Sequence, residues 1–165
     1  MSESWLGLNG KTVIVTGGAS GIGKAVAQEF LNVGCNVVVS DMAPEAPEFD
    51  TAAGKFHYVK TDVTSAKDVD AMVKEVVDTF GTVDVLVNNA GINIPRLLVD
   101  PKEPKGQYEL DEAVWDKVCS VNLKGVFFCA QAVGRLLVEK GEGVIINMSS
   151  ESGLEGSEGQ SVYAA

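Results

Sequence analysis

Residues 12–23 read Thr12-Val13-Ile14-Val15-Thr16-Gly17-Gly18-Ala19-Ser20-Gly21-Ile22-Gly23. The opening residues are a short apolar run, and from Ile22 onward the apolar positions Ile22, Val26, Phe30 and Val33 recur at helical spacing. Strand, glycine turn and helix in that order aim backbone N–H groups and a helix N-terminus at a phosphate. Gly17 can take positive φ and reverse the chain after the strand. Gly21 leaves room for a pyrophosphate, and Gly23 lets the helix pack tightly. A glycine cluster alone also serves as a flexible turn. The flanking strand and helix favour binding, so the stretch Thr16, Gly17, Gly18, Ala19, Ser20, Gly21, Ile22, Gly23 is the candidate dinucleotide-binding turn.

The chain has 165 residues, enough for one domain, 1–165, with a core of its own. Its 45% hydrophobic and 22% charged content is that of ordinary globular proteins. The formal net charge of −10 argues against a nucleic-acid or anionic-membrane partner and reads most simply as a well-solvated acidic surface. Cys35, Cys119 and Cys129 stand far apart with no C-x-x-C pair, which predicts reduced, buried thiols and a cytoplasmic location. Met1-Ser2-Glu3-Ser4-Trp5 has neither a basic start nor an apolar core, so no signal peptide is expected. No apolar run approaches the ~20 residues of a membrane span. No internal repeat, low-complexity segment or metal site is read.

Working outward, strand 12–16 and helix 21–33 are followed by Gly34 as a helix stop. Trp5 and Leu8 are expected to pack under the first strand. Asn36 to Ser40 is a second apolar strand, closed by Asp41. An acid at this point, about 20 residues beyond the glycine turn, is placed to hold a ribose 2′-OH, although a surface-turn acid is the plainer alternative. A carboxylate there repels a 2′-phosphate, and no basic residue flanks Gly18 or directly follows Asp41, so NAD is favoured over NADP. Residues 42–54 read as loop, with the helix after the second strand short or absent. Lys55 to Thr61 is strand three, in which His57 reads as structural, and Asp62-Val63 follows. Ser65 with Asp68 opens a helix in the manner of a capping box. Val69, Met72, Val73, Val76, Val77 and Phe80 form its apolar stripe, and Gly81 stops it.

Val83 to Val87 reads as a strand buried on both faces. The amides of Asn88-Asn89-Ala90-Gly91 can bond the neighbouring turn or a cofactor ribose. Residues 92–110 form a long loop with Pro95, Pro101, Pro104 and Gly106, of a length that is often functional, a solvated surface loop being the plainer alternative. Its cations Arg96, Lys102 and Lys105 are partly offset by Asp100, Glu103 and Glu109. Asp111 caps a helical region 112–138 whose apolar positions are Val114, Val118, Val121, Val126, Ala130, Val133 and Leu137. Gly143 to Met148 is strand five, followed by Ser149-Ser150-Glu151-Ser152-Gly153. Strands alternating with helices predict an α/β, Rossmann-type doubly wound parallel sheet. Right-handed crossovers set strands one, four and five side by side. The special loops 16–23, 41, 62, 88–91 and 149–153 all fall at carboxyl ends, the edge where such sheets bind ligands.

Thr16-Gly17-x-x-x-Gly21-x-Gly23, Asn88-Asn89-Ala90-Gly91, Asn122, and Ser150 thirteen residues before Tyr163 resemble the short-chain dehydrogenase/reductase family over essentially the whole chain. The resemblance implies hydride transfer between an alcohol carbon and nicotinamide. It implies Tyr163 as general acid/base, Ser150 holding the reacting oxygen, and Asn122 orienting a water or backbone link in a proton relay. It further implies Asp41 on the adenosine ribose, Asp62 and Val63 beside adenine, and Asn89, Ala90 and Gly91 along the cofactor. Thr16 is implied as a brace bonding toward Asn88-Asn89. The family's lysine four residues after the tyrosine would fall at position 167, beyond Ala165. A tyrosine of pKa about 10 is ionised to only about one part in a thousand at pH 7 without such a cation.

The chain is therefore expected to be the N-terminal part of a longer enzyme, an incomplete sheet of about five strands lacking the C-terminal strands and helices. Some cofactor affinity but little turnover is expected of it alone. Its fifth strand is expected to present an apolar edge. The resemblance also suggests a homo-oligomer, a tetramer, in the full-length form. Trp5-Leu6-Gly7-Leu8, loop 94–110 and Glu151-Ser152-Gly153-Leu154-Glu155-Gly156 resemble the sorbitol-6-phosphate and related polyol dehydrogenases, a branch of that family. This implies a polyol or sugar-phosphate substrate, with Arg96, Lys102 or Lys105 as candidate phosphate contacts. Two alternatives stand beside it. One is a non-catalytic dinucleotide-binding module. The other is a sugar-nucleotide epimerase of the extended branch, whose turn is spaced Gly-x-x-Gly-x-x-Gly.

Overall fold

The structure is a computed structural model and describes residues 6–102 and 107–165, so Trp5, Glu103, Pro104, Lys105 and Gly106 lie outside the described residues. The strands are β1 (Thr12–Thr16), β2 (Asn36–Asp41), β3 (Lys55–Lys60), β4 (Val85–Asn88) and β5 (Val144–Asn147). They form one parallel sheet in the order β3-β2-β1-β4-β5, so β1, β4 and β5 are neighbours as the crossover rule predicts. Val15 of β1 stands in register with Val39 of β2 on one side and Val87 of β4 on the other. Alternate side chains leave opposite faces of each strand. Val13 and Val15 pack with Val37, Val39, Val85 and Val87 under Ala27 and Leu31 of α1 (Gly21–Asn32). Ile14, Val38 and Leu86 point the other way, onto Met72 and Val76 of α2 (Ala66–Phe80) and Val133 of α4 (Val126–Lys140). Both faces being covered is why these strands are continuous valine-rich runs, and each buried valine or leucine contributes about 1.5–3 kcal/mol. Leu8 packs against the α1-side core.

The helix boundaries follow local chemistry. Ser65 Oγ accepts a bond from the Asp68 amide at the start of α2, and Gly81 ends that helix with φ 80°. Asp111 accepts from the Val114 amide at the start of α3 (Glu112–Cys119). Residues 42–54 contain no helix or strand. The helical region 112–138 departs from expectation in two ways. A π-helical turn, Ser120–Gly125, joins α3 to α4. The buried positions are Val118, Gly125, Cys129, Ala132, Val133 and Leu137, while Val126 and Ala130 are only half-buried. The reason is contact distance. A Cβ on Gly125 would stand 2.9 Å from Val63 Cγ2, so the helix presses its glycine, not a valine, onto the loop after β3.

By length and composition the 29-residue stretch Glu112–Lys140 is apolar enough to cross a membrane, although the sequence has no uninterrupted apolar run of that length. Its buried flank belongs to the core beside α2. Cys35 and Cys129 are buried free thiols as expected, and burial pushes them up to about 11 and about 12. Cys119 is half-buried, contrary to expectation, because it ends α3 beside the cleft described below. The β5 residues Val144, Ile145 and Ile146 are 51%, 38% and 40% exposed, so an apolar strand does stand at the sheet's edge. The final segments are α5 (Ser152–Glu155) and α6 (Ser161–Ala164).

At the amino edge of the sheet, Asp84 fastens three elements. Its carboxylate accepts from the Thr12 amide at 2.8 Å and from Lys11 Nζ at 3.3 Å, and it pairs with Lys140 at the end of α4. Burial alone would raise its pKa, but the bonds from Lys140, the Thr12 amide and Lys11 outweigh burial and hold it below the usual carboxylate value. Stability from a lowered pKa is present above the unfolded value of about 3.9 and is lost as pH falls through the folded value. Asp84→Asn should cost about 1–3 kcal/mol in urea denaturation at pH 7. The gap from the parent chain should close as the pH falls below about 4; a gap that stays constant to pH 3 would show that the carboxylate charge is not what stabilises this edge.

Candidate functional site

The carboxyl ends of β1 and β4 are bolted together by a reciprocal set of hydrogen bonds. Thr16 Oγ1 accepts from the Asn89 and Ala90 amides at 3.1 and 3.0 Å. The Asn89 side chain answers by donating Nδ2 to the Thr16 and Gly17 carbonyls, each at 3.1 Å. Of the two options open to the amides, Asn89 thus takes the neighbouring turn. Asn88 Nδ2 instead donates to Asn147 Oδ1 across β4 and β5. Gly17 has φ 65°, and a Cβ there would lie 2.8 Å from Ala90 Cα. A Cβ on Gly23 would lie 2.3 Å from the Gly17 carbonyl oxygen and 2.4 Å from Asn89 Nδ2. Gly23 therefore admits close packing of α1 against the turn and Asn89, rather than against the sheet itself.

The N-terminus of α1 differs from those of α2 and α3. Ser20 makes no side-chain capping bond and the first turn holds no acid, whereas α2 and α3 have both a capping side chain and an acid there. Ser20 thus leaves the first N–H groups of α1 without a capping side chain. Gly21, at φ 54°, has open space where a Cβ would stand. Beside it, Asp41 Oδ2 accepts from the Ala19 amide at 2.9 Å, tying the end of β2 to the glycine turn. Asp62 accepts from the hydroxyl and amide of Thr64, and those two bonds hold its carboxyl below its ordinary value.

These groups open onto a cleft of about 950 Å³ along the carboxyl edge of the sheet. Gly17, Ser20, Ile22, Gly23, Asp41, Asp62, Val63, Asn89, Ala90 and Gly91 line one end, and Asn122, Ser150 and Tyr163 line the same cleft. Asn122, in the π-helical turn, closes both arms on one residue: Oδ1 accepts from the Ile92 amide and Nδ2 donates to the Ile92 carbonyl, each at 2.9 Å. Ser150 Oγ accepts from the Ser152 amide at 3.3 Å. Tyr163 stands on α6, whose entry is held by Gln160. The Gln160 side chain accepts from Ser152 Oγ at 2.8 Å, and residue 160 bridges to Arg96 of the long loop.

A family model for short chain dehydrogenases matches residues 11–165. The chain belongs to the short-chain dehydrogenase family. It is 49% identical to sorbitol-6-phosphate 2-dehydrogenase of Klebsiella pneumoniae, covering 99% of this chain and 60% of that protein. It is 40% identical to 3beta-hydroxysteroid dehydrogenase 2 of Eggerthella lenta, over 96% of this chain and 60% of the relative. It is 39% identical to the 3-oxoacyl-(acyl-carrier-protein) reductase FabG of Thermotoga maritima, over 96% and 63%. A solved structure from Sinorhizobium meliloti 1021, described as a short-chain alcohol dehydrogenase, superposes with a TM-score of 0.81 at 30% identity, covering 95% of this chain and 61% of that one. This chain thus spans about three fifths of the length of its curated relatives.

In this member of the family, four residues of the expected turn, Thr16, Gly18, Ala19 and Gly21, stand off the cleft wall. Thr16 is buried behind it, with its hydroxyl consumed by the β1–β4 junction, so it braces and does not line. Gly21 is exposed between Ser20 and Ile22, which do line the cleft. Of the loop cations expected as phosphate contacts, the described ones do not line this cleft. Arg96 donates to the neighbouring Pro95 carbonyl and Lys102 is exposed, and neither lines the cleft; Lys105 lies outside the described residues. The described cation that does line it is Lys117 of α3, which sequence reading missed. Spacing gave no signal for it, because Lys117 lies in α3, before the π-helical turn that carries Asn122. His57 pairs with Glu75 at 2.7 Å, away from the cleft. Gly23→Ala should lower stability by about 2–3 kcal/mol, since neither the Gly17 carbonyl nor Asn89 can yield without breaking the junction. Urea denaturation of the variant checks this; a loss below about 0.5 kcal/mol would mean the turn is soft.

Proposed function

We propose that the full-length protein is an NAD-linked dehydrogenase that interconverts a secondary alcohol and a ketone, acting on a polyol or sugar phosphate such as sorbitol 6-phosphate. One observation carries the reading. Asn122, Ser150 and Tyr163 come from three separate segments and line the same cleft as the glycine turn and Asp41. The residues fit a dinucleotide. The uncapped N-terminus of α1, with open space at Gly21, suits a pyrophosphate, and the cleft volume lies in the range of ligand sites. Asp41 supports NAD, because a carboxylate beside the turn accepts from a 2′-OH and repels a 2′-phosphate. The 49% identical relative supports the substrate class.

The nicotinamide ring, when bound, supplies the hydride acceptor or donor. The chain's own groups then divide the remaining work. Ser150 Oγ receives its bond from the Ser152 amide, which leaves its proton free to donate to the substrate oxygen. The Tyr163 hydroxyl exchanges the proton of that oxygen as general acid or base. Asn122 has spent both arms on Ile92, so its part is to hold the main chain beneath the reacting end in one position. Exposed Trp115, Leu123 and Phe127 on the long helix support self-association of the full-length protein.

The test is reduction of NAD by the full-length protein with sorbitol 6-phosphate, free polyols, a hydroxysteroid and a 3-hydroxyacyl thioester. Turnover with the first and not the last two is expected; the reverse overturns the substrate class. Tyr163→Phe and Ser150→Ala should each lower kcat/KM by about 10²–10⁴. Both should leave NAD affinity, read by calorimetry, within about twofold. A variant that retains full turnover would remove that residue from the chemistry.

A further inference from the structure

Asp41 and Met42 line the cleft, yet the segment that follows them, residues 42–54, has no helix or strand to hold it. Side chains do that work. Tyr58 of β3 pairs in register with Val39 of β2, and its hydroxyl reaches along the sheet to the main-chain carbonyls of Ala43, at 2.5 Å, and Asp41, at 3.2 Å. Farther along, the Gln28 amide on α1 meets the Asp50 main chain in both directions, at 2.9 and 3.0 Å. Phe49 lies 4.8 Å from Phe56, with the Lys24 ammonium 5.7 Å from its ring centre. The Asp41 carboxylate is held at its head by the Ala19 amide, at 2.9 Å, and the Ala43 amide, at 3.1 Å.

We infer that Tyr58 is a positioning residue for cofactor selection: by donating its one proton to the Ala43 carbonyl, with the Asp41 carbonyl beside it, it sets where the Asp41 carboxylate stands. This rests on the proposed role of Asp41. The physical link is short. Ala43 gives its amide to the Asp41 carboxylate and its carbonyl to Tyr58, so the hydroxyl and the carboxylate grip the same residue from opposite sides. Releasing the hydroxyl frees the turn and, with it, one of the two amides that orient the carboxylate. Acceptance of a 2′-OH needs hydrogen-bond geometry, and repulsion of a 2′-phosphate weakens as the charges separate. A loosened carboxylate therefore loses affinity for NAD and discrimination against NADP together. Phenylalanine at 58 keeps the ring in the α1-side core, where Tyr58 packs, and removes only the donor.

Calorimetric titration of NAD and NADP into the full-length protein tests this with Tyr58→Phe, Asp41→Ala and the double variant. Tyr58→Phe should weaken NAD binding by about two- to tenfold, the loss of one hydrogen bond. It should weaken NADP binding by less, so that the preference narrows. On the Asp41→Ala background the same change should alter NAD affinity by less than about 1.5-fold, because nothing is left to position. Unchanged NAD affinity, equal losses for both cofactors, or an undiminished effect on the Asp41→Ala background overturns the inference while leaving the role of Asp41 intact. If Asp41→Ala itself leaves NAD affinity unchanged, the role of Asp41 fails, and this inference falls with it.

Discussion

A single hydroxyl, that of Thr16, accepts two main-chain N–H groups from the strand end beside it, and the rest of the cleft depends on that junction. Those amides leave a buried strand just where no further ladder partner exists, and an unpaired buried N–H costs on the order of 1–3 kcal/mol. With the ends of β1 and β4 locked, Gly17 can press against Ala90 and Gly23 against Asn89, and neither contact leaves room for a Cβ. The glycines are thus consequences of the junction as much as agents of ligand approach. Of the glycines in the turn, Gly21 has open space where a Cβ would stand.

Much of the fold was legible because its central strands are buried twice. A residue such as Val38 or Leu86 must be apolar whichever face it takes, so the runs survive any error of register. Strand order followed from crossover handedness, and the helix ends from Ser65, Gly81 and Asp111. The long helix was less legible, because hydropathy has no sign for a glycine that is pressed into a neighbour. Gly125 and Cys129 occupy core positions that Val126 and Ala130 were expected to fill. The π-helical turn left its mark only as an asparagine in mid-helix, a residue whose side chain competes for main-chain bonds.

At the site, residues fixed by main-chain geometry were readable and residues fixed by long-range packing were not. Gly17, Asp41 and Asn89 stand where strand ends put them. Arg96, Lys102 and Lys117 have long side chains whose reach is decided by neighbours, and charge gave no means of telling that, of these three, Lys117 lines the cleft. Tyr58 gave no motif at all. It is one more aromatic on an edge strand until β2 and β3 are laid in register.

The long helix has a further consequence. Lys140 at its end pairs with Asp84 at the amino edge of the sheet, while Asn122 grips Ile92 at the carboxyl edge. These two grips lie on one rod, separated by about 27 Å at 1.5 Å per residue. A rod clamped at both ends has no freedom to slide lengthwise, and whatever displaces one clamp loads the other. The acid that steadies the far edge and the amide beneath the cleft are therefore mechanically in series, a strut spanning the sheet from the floor to the mouth.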